Sequence, residues 1–174
     1  MKTKTESILS FMRIIALIGY IGAIIAGLRI IIPFVISFFT DKSPVGTGTG
    51  LDHIKETHLL PYIFLMSFVI ALAIIKVQIW ESLREILREI NLHSPFSMKV
   101  ANNIESISYI VLGLGIVYFI ADQYMHYVAK TIPDLNYGLF KTDYQYLFSA
   151  GIVYVISQIF KRGVELQEDN ELTV

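Results

Sequence analysis

The 174-residue chain contains no cysteine, which excludes disulfides, thiolate metal sites and cysteine nucleophiles and leaves the redox compartment unmarked. Charge is also scarce. Only 17% of residues are Asp, Glu, Lys or Arg, and the formal net charge is −1, against about 25% charged residues in an average soluble domain. A near-neutral chain has no basic field to attract nucleic acid, so direct binding of DNA or RNA is not expected. No soluble stretch is long enough to form a separate catalytic or nucleic-acid-binding domain, so a single domain is expected.

The constellations that mark enzymes are missing too. There is no Gly-x-Ser-x-Gly, no His-Glu-x-x-His, no P-loop and no carboxylate cluster inside an apolar segment. Intramembrane catalysis needs polar groups at membrane depth, and the second and fourth apolar segments offer little beyond Ser67, Ser149, Ser157 and Gln158. The expectation is a protein that is not an enzyme and that holds no cofactor or metal.

What the chain has in excess is apolar surface. Hydrophobic residues make up 54% of it, and the mean hydropathy is +0.58. Four segments lack charge altogether, at residues 14–28, 59–75, 106–121 and 144–160. Seventeen helical residues rise about 26 Å, close to the roughly 30 Å hydrocarbon core once flanking side chains snorkel. The predicted fold is therefore all-α, a four-span integral membrane bundle in contact with the lipid bilayer over most of its surface. Spans are expected at about 11–32, 60–80, 105–124 and 144–161. The basic start Met-Lys-Thr-Lys resembles a signal peptide, but the apolar run after it is too long and lacks a small-x-small cleavage site, so a retained first span is expected.

Four spans place both termini on one side. Lys2, Lys4, Arg13, Lys76, Arg84, Arg88, Lys99, Lys161 and Arg162 lie there, nine basic residues against Lys42, Lys55, Lys130 and Lys141 on the other. The positive-inside rule makes the first side cytoplasmic. Residues 40–58 and 125–143 then form outer loops, with Tyr62, Tyr124, Tyr127, Tyr144 and Tyr146 at the outer interface and Trp80 at the inner one. Residues 81–104 form a cytoplasmic helical hairpin, because Ile79, Leu83, Ile86, Leu87 and Ile90 continue the helical period beyond the second span. The third helix is capped either by Ser94 with Pro95 at its first position or by Ser97. Pro33 is expected to break the first helix, and the glycine-rich residues 45–50 to be its outer loop's most flexible part.

Three sets of residues are candidate sites. Gly19, Ala23 and Gly27 are spaced for close helix packing in lipid, either in a homo-oligomer or within the bundle. Arg29 and Asp122 fall at similar counted depth and are candidates for an intramembrane ion pair, since an unpaired arginine there costs at least about 2–3 kcal/mol; Lys76 with Glu105 is a second such pair. Glu165, Glu168, Asp169 and Glu171 concentrate acid in the tail of residues 162–174, where Gly163 is expected to relax the helix. Asp52, His53, His58 and His126 share the outer side, but their spacing fits no compact metal site.

Two stretches carry a family resemblance. One is Ser94-Pro-Phe-Ser97 with Lys99, Asn102 and Asn103. The other is Ile159-Phe-Lys-Arg-Gly-Val-Glu-Leu-Gln-Glu-Asp-Asn-Glu-Leu-Thr-Val174. Together with the four-span plan, they resemble the DUF2975 family over nearly the whole chain. The resemblance implies a small multi-pass protein of the bacterial plasma membrane, often encoded beside a Cro/C1-type helix-turn-helix regulator, and it supplies no catalytic residues. Two functional readings follow. The first is a non-enzymatic protein that engages a cytoplasmic partner, such as a small DNA-binding regulator, through the hairpin and acidic tail. The alternative is a small transporter, channel or accessory subunit using Arg29, Asp122 and the outer loop.

Overall fold

A computed structural model describes residues 4–39, 47–90, 96–132, 135 and 138–172, the last three by backbone alone. Lys2, Lys42, Val45, Gly46, Ser94, Pro95 and the side chain of Glu171 lie outside the described residues. Among those described, the regular structure is helical: α1 (Lys4–Phe39), α2 (Leu59–Glu89), α3 (Met98–Val128) and α4 (Gln145–Leu172), with a short 3-10 turn at Asp52–Ile54. All four long helices contain a stretch long and apolar enough to cross a membrane. A helix is what such sequences must form in hydrocarbon, where each backbone group has to find its partner within its own segment.

α1 runs through Pro33 without a break, contrary to the sequence expectation. Proline removes the one bond its own nitrogen would donate. Unwinding the chain there would strip partners from several further groups with no water to replace them, so continuing the helix is the smaller loss. α3 begins at Met98 because Ser97 caps it: the Val100 N–H donates to Ser97 Oγ at 3.3 Å, and the Ala101 N–H to the Ser97 carbonyl at 3.0 Å.

The chain divides into two compact units. One, the terminal unit, comprises Met1–Ile21, Gln78–Gly113 and Tyr144–Val174; the other, the loop unit, comprises Gly22–Val77 and Leu114–Asp143. In the loop unit, Leu51, Ile54, Tyr62, Leu65, Met66 and Met125 are at most 1% exposed, a dry core that includes loop residues as well as helix. Tyr62, expected at an interface, lies inside that core and stacks 6.0 Å from Phe34. In the terminal unit Val100, Ala101 and Ser157 are similarly enclosed. Elsewhere the helices present large aliphatic side chains outward: Ile14, Ile18, Ile25, Leu28 and Ile32 along α1 are each about half exposed or more, the surface that lipid covers.

Candidate functional site

The terminal unit brings the two signature stretches together. Phe96, from the Ser-Pro-Phe-Ser element, stacks 5.4 Å from Phe160 of α4. Its ring also lies directly over Gly163, where an added Cβ would come within 2.7 Å of Phe96 Cδ1 and 2.9 Å of Cε1. Gly163 therefore does not relax the helix. It clears space for an aromatic ring, and α4 continues unbroken to Leu172. Residues 162–172 of the expected acidic tail are helical, with Val164 6% exposed on the inner side. Glu165, Leu166, Glu168 and Asp169 face outward. Arg162 donates to Glu165 at 2.6 Å, and both side chains remain more than half exposed.

Around this segment, polar side chains tie the helices of the terminal unit to one another. Glu105 on α3 accepts from Lys161 Nζ at 2.8 Å and from Gln158 Nε2 at 3.1 Å, both on α4. Glu89 near the end of α2 accepts from Lys99 at 2.6 Å and from Asn103 at 3.3 Å. The end of α2 is closed by Arg13 of α1, whose Nε donates to the Leu87 carbonyl at 2.7 Å and whose NH2 nitrogen reaches those of Arg88 and Ile90 at 3.4 Å. Four carbonyls at a helix end lack intrahelical partners and carry partial negative charge, which a guanidinium satisfies in both respects. Arg84 lies over the Tyr20 ring at 4.4 Å. Gly19 lies against Trp80, whose ring would be 2.4 Å from an added Cβ.

The loop unit holds the remaining candidates. Gly27 faces Ala73 of α2, where an added Cβ would lie 3.8 Å from the Ala73 Cβ, in ordinary van der Waals contact. Ala23 is half-buried on α1. Asp122 is engaged without Arg29: its carboxylate accepts from Thr142 Oγ1 at 2.9 Å and lies 3.5 Å from His126 Nδ1. Arg29 is exposed on α1 and forms no ion pair among the described residues. Residue counting placed the two at one depth but carried no information on which way each helix face turns. Lys76 lies 5.7 Å from the centre of the Tyr118 ring, while Glu105 is held by Lys161 and Gln158.

Residues 47–50, from the stretch expected to be the most flexible part of the outer loop, form a turn. Gly48 and Gly50 adopt φ of +70° and +75°, a region that glycine enters without steric cost. The alternating threonines turn inward, 5% and 7% exposed. Thr47 donates from its N–H and its hydroxyl to the two Asp52 carboxylate oxygens at 3.0 and 2.9 Å. Thr47 and Thr49 share a hydrogen bond of 2.7 Å, and the Thr49 hydroxyl reaches Met66 Sδ at 3.7 Å. Asp52 is thus committed to its own loop. Lys55 donates to the Ser37 carbonyl near the end of α1 and lies 5.3 Å from the Phe38 ring centre. The sequence signal for this turn was present in the strict Gly-Thr alternation followed by an acid.

The fold defines an α-helical multi-pass membrane protein. A family model described as a protein of unknown function (DUF2975) matches residues 15–174. The chain belongs to that family. No curated protein and no solved structure matches it.

Proposed function

We propose that this protein is a non-enzymatic adaptor of the bacterial plasma membrane, with both termini in the cytoplasm, that binds a basic cytoplasmic protein on the outward face of the last turns of α4. The observation that carries the reading is the seating of Phe96 on Gly163, with Val164 buried beside it. It holds an acidic helical face already formed, so a partner need not meet the entropy of ordering a tail. Glu165, Glu168 and Asp169 supply negative potential that steers a basic surface toward the site, and the exposed Leu166 supplies an apolar contact among them. A small helix-turn-helix regulator, basic because it binds DNA, is the most concrete partner of this chemistry. The nine-to-four bias of basic residues supports the orientation.

Affinity purification from native membranes tests the proposal. The variant Glu165→Gln/Glu168→Gln/Asp169→Asn is expected to lose the co-purifying basic protein at least about 10-fold, with an unchanged circular dichroism spectrum. Removal of residues 165–174 is expected to lose the same partner, with the helical signal lowered only by the residues removed. Full retention of every partner by both variants would refute the reading.

A further inference from the structure

Arg29 stands alone on a surface that is otherwise apolar. Its neighbours on the exposed side of α1, Ile25, Leu28 and Ile32, are 53%, 46% and 49% exposed. Among the described residues no carboxylate pairs with it. The nearest polar end of the helix in chain order is marked by Ser37, whose carbonyl accepts from Lys55. Ser37 lies eight positions beyond Arg29 on the helix, a rise of about 12 Å. Taking Ser37 and Lys55 to mark the headgroups of the leaflet at the Phe39 end of α1, we infer that the guanidinium starts about 12 Å below them, among hydrocarbon.

A second feature falls on the same residue. Pro33 lies four positions further along α1, on the same face of the helix. Its ring nitrogen carries no hydrogen, so the carbonyl of Arg29 receives no bond from the position that would ordinarily supply it. One residue thus offers five N–H donors with a full positive charge and a backbone acceptor, both within a belt of isoleucine and leucine.

We propose that Arg29 and its carbonyl form a binding site for a phospholipid headgroup that combines a phosphodiester with a hydrogen-bond donor, such as the ammonium of ethanolamine or the hydroxyls of glycerol. The guanidinium takes the phosphate oxygens in bidentate fashion, and the headgroup donor closes on the Arg29 carbonyl. The acyl chains lie along Ile25, Leu28 and Ile32. A choline headgroup satisfies only half of the site, because its quaternary nitrogen has no N–H. A carboxylate from another membrane helix satisfies the guanidinium alone and leaves the carbonyl unmet, so the paired donor and acceptor favour the lipid.

The test uses the full chain in nanodiscs of equal phosphatidylethanolamine and phosphatidylcholine, two zwitterionic lipids that differ in the headgroup donor. Lipids that remain bound on release are counted by native mass spectrometry. The wild type is expected to retain one phospholipid per chain, with ethanolamine enriched about 5-fold or more over choline. Arg29→Gln is expected to lose retention about 10-fold, and Arg29→Lys to keep part of it. Pro33→Ala, which restores the N–H facing the carbonyl, is expected to keep the lipid but lose the discrimination between headgroups. Thermal unfolding of each variant separates loss of the site from loss of the fold; if Arg29→Gln fails to fold, the headgroup ratio in Pro33→Ala decides. Excess inorganic phosphate is expected to displace nothing. Equal retention in folded Arg29→Gln, an unaltered headgroup ratio in Pro33→Ala, displacement by free phosphate, or an acidic membrane protein bound through Arg29 in place of the lipid would each overturn the proposal.

Discussion

Each of the two units of this chain is held together internally by different means. The loop unit contains most of the side chains that are sealed from solvent, among them Tyr62, Phe140, Leu65, Met66 and Met125. Its polar residues are largely spent on local turns, as in Thr47, Thr49 and Asp52. The terminal unit has few fully enclosed large side chains. Its helices are linked instead by half-exposed charges, with Glu105 to Lys161, Glu89 to Lys99, and Arg13 on the end of α2. The loop unit is thus held chiefly by close side-chain packing, the contact that associates helices in lipid. The terminal unit uses directional contacts, each modest and each sensitive to salt and geometry.

Truncating the dry core gives the largest expected effect: Phe140→Ala should cost about 3–5 kcal/mol and Leu65→Ala about 2–5 kcal/mol, measured by thermal or denaturant unfolding in detergent. Overpacking the terminal unit comes next. Gly163→Val should cost about 1–3 kcal/mol by colliding with Phe96, and Phe96→Ala in the same chain should recover part of that loss in a double-mutant cycle. If the two changes simply add, the ring does not rest on Gly163. Asp52→Ala leaves the Thr47 N–H and hydroxyl without their acceptor, for about 1–3 kcal/mol; hydrogen exchange at residues 47–51 should quicken while the helices stay protected. Arg13→Gln removes a cation from the end of α2 and should cost up to about 1 kcal/mol, the loss shrinking at high salt. Arg162→Ala, which breaks an exposed pair, should leave the unfolding midpoint unchanged. A ranking in which Arg13→Gln outweighed Leu65→Ala would reverse the contrast between the units.

The four helices were legible because a charge-free run of fifteen or more residues has few other ways to satisfy its backbone. Position along a helix was equally readable, since it follows from counting. Azimuth was not. Arg29 and Asp122 share a counted depth, yet Asp122 is turned to Thr142 and His126 while Arg29 faces outward. The burial of Tyr62 was unreadable for a related reason. Tyrosine suits both an interface and a core, and what decides is the packing of Phe34 and the 3-10 turn around it, which one-dimensional periodicity does not carry. Gly163 shows the converse. Glycine in a helix reads as a weak point, and only the partner ring, 67 positions earlier in the chain at Phe96, gives it another meaning.

That ring has a mechanical consequence. With Gly163 occupied from outside, α4 has no joint between its apolar half and its acidic end, and 28 residues behave as one rod of about 42 Å. A rod without a joint carries torsion as faithfully as tilt. Glu165, Glu168 and Asp169 therefore keep a fixed bearing about the helix axis relative to Ile152 and Ile156, and the apolar half and the acidic end of α4 are one lever rather than two hinged segments.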